Sequence, residues 1–467
     1  MRTTLGLAAL LTLSLLAAAA RAEEKLEIPF ETYKLKNGLQ VILHVDRRLP
    51  LVAVDVWYHV GAFHEARGRG GFAHLFEHMM FQGSAHVGDD KHFEILKRGG
   101  ASFVNGTTSF DRTNYLETVP SDQLEVALWL ESDRMGFLTH ALTRQKLDRQ
   151  RAVVQNERRQ GLETQPYGAA GEKLWHALFP EPHPYHGRVI GSMKDLDAAT
   201  VADVRDFFRT WYAPSNATLA LAGDFVPARA KKLVEKYFGS LPSVPRPKPP
   251  KVKPVTIDRE VVLRHEERIG TLTRVTAAWH TPPFFAPGDS TADILASVLA
   301  AGKASRLERR LVRELQIAQS VSAYQASMGA QSVFQIHATA RPGVTPERLL
   351  EAIDGVLAGV RGGEVSAAEV KRARNRYETN FFTGLQQLGG FDGKTDKLQT
   401  YNHFLGDPGY LARDVARYRQ VTPEMVARFA STYLVKQRRV VMFAVPRSEA
   451  APSRPAAGAP PATGGRR

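Results

Sequence analysis

A proline-rich segment divides the chain into two parts of similar size. It runs from Pro242 to Pro254. Proline fixes φ and lacks a backbone N–H, so this segment is excluded from helices and from central strands. It is predicted to be an extended connector, and a chain of 467 residues is too long for one ordinary core. We therefore expect two domains, over residues 23–241 and 255–446.

The ends of the two parts resemble each other. Thr200 precedes a helical pattern and a strand that begins at Ala217, and Thr422 precedes a similar pattern and a strand that begins at Arg439. The offset between the two threonines is 222 residues, which is the size of a domain. We predict an α+β fold of two homologous domains, each with a mainly antiparallel sheet covered by helices.

Composition excludes several kinds of site. Cysteine is absent, so disulfides and thiolate metal ligands are excluded, and a metal would need His, Asp or Glu. The net charge is +14, yet lysine and arginine are dispersed along the chain. The densest basic run, 246–253, is interrupted by prolines. This distribution argues against a nucleic-acid interface.

The first 22 residues have the pattern of a cleaved export signal. Arg2 is followed by an apolar run from Leu5 to Ala20 and by the small-residue site Ala20-Arg21-Ala22. A membrane anchor is the alternative, but the run is short for a span. We expect a periplasmic or secreted protein without a stable membrane span, and a disordered tail over 447–467 that is rich in Ala, Pro and Gly.

The sharpest motif is His74-Leu-Phe-Glu77-His78 in an apolar helical stretch. Positions i and i+4 share one face of a helix, so the two imidazoles could hold one ion, and Glu77 projects from the same side. This inverted H-x-x-E-H order is typical of one class of zinc peptidases. Two satisfied histidines beside a surface glutamate are the alternative interpretation.

Catalytic zinc needs a third protein ligand. Glu157 is a candidate because it lies in a long helical segment, one turn after Val153 of a Val153-Val154 apolar stripe. A solvated glutamate beside Arg158 and Arg159 is the alternative, and spacing alone does not choose between the two.

Together these segments resemble the M16 family of pitrilysin, insulinase and mitochondrial processing peptidase. The similarity extends to Gly99-Gly100, Asn105 to Thr108, Asp111 to Tyr115, Tyr185 and Ile190 to Ser192. The resemblance implies that His74, His78 and Glu157 bind one Zn²⁺ per chain. It also implies that Glu77 is the general base of a metalloendopeptidase that cleaves peptides or unfolded segments.

The resemblance also implies how a peptide binds and where this chain departs from its family. An extended substrate would pair with the strand from Ser102 to Thr108, nearest Asn105 and Gly106. Many members carry a glutamate seven residues before the third ligand, where this chain has Gln150. A neutral side chain there predicts weaker zinc binding or slower turnover, with activity retained.

The second half lacks the inverted motif, so it should bind no metal. In the family this half supplies an Arg and a Tyr to the substrate, and the matching positions here are Val312 and Gln319. Arg313 is one step away, and the next tyrosine is Tyr324. We therefore expect a homologous M16 partner subunit that supplies both groups, with a homodimer also open. A non-catalytic scaffold subunit and an exported metal carrier are the alternative functions.

Overall fold

The computed structural model describes residues 26–447. The predicted signal peptide and the predicted tail beyond Arg447 lie outside the described residues. Within 26–447, no helix is long and apolar enough to cross a membrane.

The described chain forms two mixed sheets, one in each half. The first sheet has the order β1-β2-β6-β3-β5-β4 and the second the order β7-β11-β8-β10-β9. The strands of the first sheet are β1 (Glu31–Lys34), β2 (Gln40–Val45), β3 (Leu51–Tyr58), β4 (Phe103–Thr108), β5 (Thr113–Pro120) and β6 (Ala217–Gly223). Those of the second are β7 (Val261–Glu267), β8 (Arg274–Thr281), β9 (Ala318–Ala326), β10 (Ser332–Ala340) and β11 (Arg439–Pro446).

Helices cover both sheets. Those of the first half are α1 (Phe72–Met79), α2 (Lys91–Arg98), α3 (Leu124–Ala141), α4 (Arg144–Arg158), α5 (Gly168–Leu178), α6 (Met193–Ala198), α7 (Val201–Trp211) and α8 (Pro227–Phe238). Those of the second half are α9 (Asp289–Ala300), α10 (Pro346–Arg361), α11 (Ala367–Gly384), α12 (Lys394–Leu405), α13 (Leu411–Arg419) and α14 (Pro423–Tyr433).

The two sheets repeat one topology. In the first sheet only the β2–β6 pair is parallel, and in the second only the β7–β11 pair is. In each case the parallel partner is the last strand of its half, inserted beside a central antiparallel strand. The predicted α+β class with mainly antiparallel sheets is confirmed. The first sheet carries one additional strand, β1, at its edge.

Each sheet is covered on one face by its own helices and on the other by helices of the opposite half. Helix α12 of the second half lies on β3 and β6, where Leu398 and Tyr401 pack against Ile42 and Ala220. Reciprocally, α5 of the first half lies on β11, where residues such as Trp175 share a core with the second sheet. The prediction did not anticipate this exchange, since it treated each half as covering its own sheet.

The proline-rich connector packs along the second half. Residues 242–260 contain no helix or strand. Val252, Val255 and Ile257 contact the core that α5 shares with the second sheet. The Val255 N–H donates to Oε1 of Gln331 at 2.8 Å, and Nε2 of Gln331 donates to the Val255 carbonyl at 2.9 Å. The connector therefore helps to fix the two halves together.

The exchange of helices predicts that the first sheet depends on a residue of the second half. Leu398 is 1% exposed, so Leu398→Ala should lower the free energy of unfolding by about 2–5 kcal/mol in urea denaturation. Leu405→Ala is the matched control, because Leu405 lies on the same helix and is 37% exposed. Equal unfolding midpoints for the two variants would contradict the proposed role of α12.

Candidate metal centre

Helix α1 presents one apolar face and one polar face. Phe72, Leu75, Phe76 and Met79 are spaced by three and four residues and are buried in the first core, which is why this segment folds as a helix. His74, Glu77 and His78 lie on the opposite face and are partly exposed.

The amino end of α1 is held by Glu65. One carboxylate oxygen accepts from the Gly71 N–H at 2.9 Å, and the other accepts from the Ala73 N–H at 2.7 Å. These groups are among the N–H donors that have no partner within the helix. Gly71 has φ of 90°, and a Cβ there would lie 2.8 Å from Cα of Gly191. Only glycine fits this junction, which fixes where α1 begins.

Helix α4 brings the third predicted ligand towards α1. Its buried stripe consists of Leu147, Gln150, Val154 and Arg158. Val153 is 39% exposed, so the predicted inward Val153-Val154 stripe is wrong at Val153. Glu157 instead follows the buried Val154 by three residues, which places it at the edge of the stripe that packs on α1.

The three predicted ligands converge. Nε2 of His78 lies 3.4 Å from Oε2 of Glu157, and Nε2 of His74 lies 3.8 Å from the same oxygen. The imidazole rings meet edge to face with centroids 4.8 Å apart. The histidine side chains are 17% and 18% exposed and that of Glu157 is 42% exposed, so the centre opens on one side to solvent.

These residues fit a zinc ion. Tetrahedral coordination with bonds of about 2.0–2.1 Å places neighbouring ligand atoms about 3.4 Å apart, close to the observed separations. Burial lowers the pKa of His74 to about 4, with the His78 imidazole as a second cause. His74 is therefore neutral and has a free ring lone pair, as metal binding requires. Three protein ligands leave one coordination position open.

Glu77 lies beside this centre and is held by strand β4. The Thr108 hydroxyl donates to Oε2 of Glu77 at 2.6 Å. Burial raises the pKa of Glu77, and the Thr108 hydrogen bond opposes that rise. At Gly106 a Cβ would lie 3.2 Å from Cγ of Glu77 and 3.0 Å from Cε2 of Phe81. The strand therefore runs directly against the side chain of the predicted base.

A cavity of about 720 Å³ contains the centre and is walled by both halves. His74, Glu77 and Glu157 line one wall, together with the end of β4 from Gly106 to Thr108. Residues of β9 and β10 line the opposite wall, among them Tyr324 and Gln335. Strands β4 and β9 are edge strands of their sheets, so the cavity lies between two edges whose backbone groups can pair with an extended chain.

Several residues singled out in the sequence lie elsewhere. The Asn105 side chain accepts from the Gly106 N–H at 2.9 Å and does not line the cavity. Gln150 is 9% exposed and makes no hydrogen bond with residues 26–447, so it forms no hydrogen bond with His74 or His78. Arg313, one step from the position of the expected arginine, pairs with Glu308 on a π-helical turn outside the cavity.

The sequence did not indicate a role for Glu65 or Arg188, and it indicated Tyr324 only as the tyrosine nearest to Gln319. Nothing in the sequence joins Glu65 to α1, because the link is a loop that folds back on the helix. Tyr324 reaches the cavity because it lies on β9, where its ring stacks on His337 with centroids 5.5 Å apart. Arg188 follows Tyr185 in a segment without regular structure, and it also lines the cavity.

Comparison with known proteins identifies the family of the chain. Residues 40–180 match the family described as Insulinase (Peptidase family M16), and residues 198–377 match the Peptidase M16 inactive domain. The chain belongs to the M16 family of metallopeptidases. The second match begins at the end of the first half and extends over residues 255–377 of the second half, where the inverted motif is missing.

M16 relatives align with nearly the whole chain. Zinc protease PqqE of Helicobacter pylori is 28% identical over 447 residues, which is 95% of this chain and 98% of the relative. The crystal structure of a protease from Helicobacter pylori superposes with a TM-score of 0.82 at 26% identity, covering 90% of this chain and all of that one. The first half of the periplasmic protease PqqL from Escherichia coli shares the fold, with a TM-score of 0.72 at 19% identity over 89% of this chain and 92% of that one.

The carboxyl group of Glu65 gives a test of the α1 junction. Burial raises its pKa from the ordinary value of 4.5 to about 8, against the two N–H hydrogen bonds that lower it. Between those values the folded protein retains a proton that the unfolded chain has lost, so this group makes stability fall as pH rises from about 5 to 8. In metal-free Glu65→Gln protein, the free energy of unfolding measured in urea should therefore fall less between pH 5 and pH 8 than it does in the native chain.

Glu351→Gln is the matched control, because Glu351 is exposed on α10 of the second half and makes no hydrogen bond to α1. It should keep the native pH dependence. The assignment of Glu65 fails if Glu65→Gln and the native chain lose the same stability between pH 5 and pH 8.

Proposed function

We propose that this chain is a zinc-dependent endopeptidase, with His74, His78 and Glu157 as the metal ligands and Glu77 as the general base. The supporting observation is the convergence of the three ligands beside a partly buried carboxylate, in a cavity bordered by the free edge of a strand. The relatives named zinc proteases give independent support for the metal.

The roles of the residues follow from their placement. When bound, zinc polarises the scissile carbonyl and lowers the pKa of a coordinated water. Glu77 takes the proton from the attacking water and passes it to the leaving amine, which is general base and then general acid catalysis. The Thr108 hydroxyl fixes the orientation of the Glu77 carboxylate. The raised pKa of Glu77 suits a group that must both accept and return a proton.

Strand β4 is the proposed docking strand for substrate. Its outer edge has no partner strand within residues 26–447, and Gly106 to Thr108 lie on the cavity wall. An extended peptide paired with this edge would pass alongside Glu77. Main-chain pairing depends on the substrate backbone more than on its side chains and requires an extended chain. Peptides and unfolded segments are therefore the proposed substrates.

We also propose export and a paired assembly. The N-terminal pattern and the periplasmic relative PqqL favour a periplasmic location.

A partner subunit that supplies Arg and Tyr stays a prediction. Arg188 and Tyr324 of this chain already line the cavity, so we expect measurable hydrolysis by the chain alone.

The decisive variant is Glu77→Gln, which removes the proton acceptor and keeps the shape of the side chain. It should bind one zinc per chain and hydrolyse a quenched-fluorescent peptide about 100- to 10,000-fold more slowly than the native chain. Zinc content and hydrolysis are measured on both proteins. If both bind zinc and neither cleaves, a partner, a scaffold role or a metal carrier becomes the better account. If neither binds zinc, the ligand set is wrong.

The close approach of β4 to Glu77 gives a second variant. In Gly106→Ala the new methyl group would press on Glu77 and Phe81, so hydrolysis should fall at least about tenfold while zinc content is kept. Gly171→Ala is the matched control, because a Cβ there meets nothing within 4 Å. Equal rates for the two variants would show that the contact with β4 does not position Glu77.

A further inference from the structure

Arg188 lines the metal cavity and forms no salt bridge with an acidic residue of the part of the chain that the structure describes. Within residues 26–447 its guanidinium makes no ion pair and no hydrogen bond, and its contact is the face of Trp175 at 5.4 Å. Arg158, which also lines the cavity, differs in this respect. It donates to Glu172 at 2.8 Å and to the Gly191 carbonyl at 2.7 Å, so its charge is already compensated.

The surroundings hold Arg188 in place. Trp175 stacks on Phe110 with centroids 5.3 Å apart, and its indole N–H donates to the Tyr185 carbonyl at 2.6 Å. Arg188 is only partly exposed, and its burial lowers the pKa of the guanidinium while Glu172 raises it. Arginine stays charged in proteins, so a partly desolvated cation remains here that an anion would stabilise.

A second donor is on the opposite wall. Tyr324 lines the same cavity from β9, and its hydroxyl lies 3.4 Å from Nε2 of His337. Nδ1 of His337 lies 2.9 Å from the Thr276 hydroxyl, so the tyrosine is held by a polar chain across three strands. A guanidinium and a phenol in one cavity are donors suited to a carboxylate.

We infer that Arg188, assisted by Tyr324, binds a carboxylate of the peptide substrate, so that this enzyme prefers peptides that present a carboxylate to the cavity. The inference rests on the proposed peptidase function. The acidic groups of the cavity, Glu77 and Glu157, would otherwise repel such peptides. The net charge of +14 also favours the approach of acidic chains. The carboxylate can come from an Asp or Glu side chain or from the C-terminus of the peptide.

Binding to the zinc-loaded Glu77→Gln protein tests the inference without hydrolysis. Fluorescence anisotropy is measured with two dye-labelled peptides that differ by one central Glu or Gln, each with a free or an amidated C-terminus. We expect about 10- to 100-fold tighter binding of the peptide that carries the recognised carboxylate. Preference for Glu assigns the site to a side chain, and preference for the free C-terminus assigns it to the terminal carboxylate. Equal affinities for all four peptides would overturn the inference.

Variants of Arg188 in the same background link the preference to this residue. Arg188→Gln should bring the peptides to nearly equal affinity, and Arg188→Lys should retain part of the preference because it keeps the charge. Arg209→Gln is the matched control, since it removes one positive charge from the exposed face of α7, outside the cavity. Retention of the full preference by Arg188→Gln, or its loss in Arg209→Gln, would overturn the assignment.

Measurements of hydrolysis distinguish a failure of the proposed peptidase function from a failure of the carboxylate preference. Absence of hydrolysis by the native zinc-loaded chain would count against peptidase activity of the chain alone and leave the binding preference intact. Hydrolysis with equal kcat/KM for the Glu and Gln peptides and for both C-terminal forms would support the peptidase and overturn the role of Arg188.

Discussion

The exchange of helices between the two halves is the contact on which the rest of the structure depends. A sheet with one uncovered apolar face is not stable in water, and here each half covers the open face of the other through α5 and α12. The side chain of Gln399 strengthens this contact by donating to the carbonyls of Asp55 and Thr218, both at 2.9 Å. The halves are thereby held in one arrangement, and the cavity between β4 and β9 exists only in that arrangement.

Tyr185 and Asp111, two motif residues outside the metal centre, also hold the two halves together. The Tyr185 hydroxyl donates to Asp111 at 2.8 Å and accepts from the Ala330 N–H at 3.0 Å, while the other oxygen of Asp111 accepts from the Gly329 N–H at 3.1 Å. Asp111 and Tyr185 belong to the first half and the loop at Gly329 to the second. These hydrogen bonds tie together the two walls of the cavity, next to the aromatic residues that hold Arg188.

The proposed metal centre is partly buried and opens to solvent on one side. Burial lowers the pKa of His74 to about 4 and raises the pKa of Glu77, and both shifts support the proposed roles of these groups as metal ligand and general base. Glu65 and the glycine junction at Gly71 set the start of α1, and the pitch of the helix then sets the positions of the two histidines that are proposed as ligands. All residues of the proposed centre thus come from the first half, and the second half supplies a cavity wall with Tyr324.

The sequence by itself determined the fold class, the duplication and the metal motif. These depend on patterns that can be read along the chain: an i, i+4 histidine pair on a helix, a repeated ending at an offset of 222 residues, and a proline-rich break. It also predicted a helix that carries Glu157, and the structure has that helix as α4, although the buried neighbour is Val154 and not Val153. Only the tertiary structure decided that Glu65 caps α1, that α5 and α12 cross between halves, and that Arg188 and Tyr324 face one cavity. Those contacts join residues far apart in the chain, and their partners are chosen by packing, which leaves no periodic signal in the sequence.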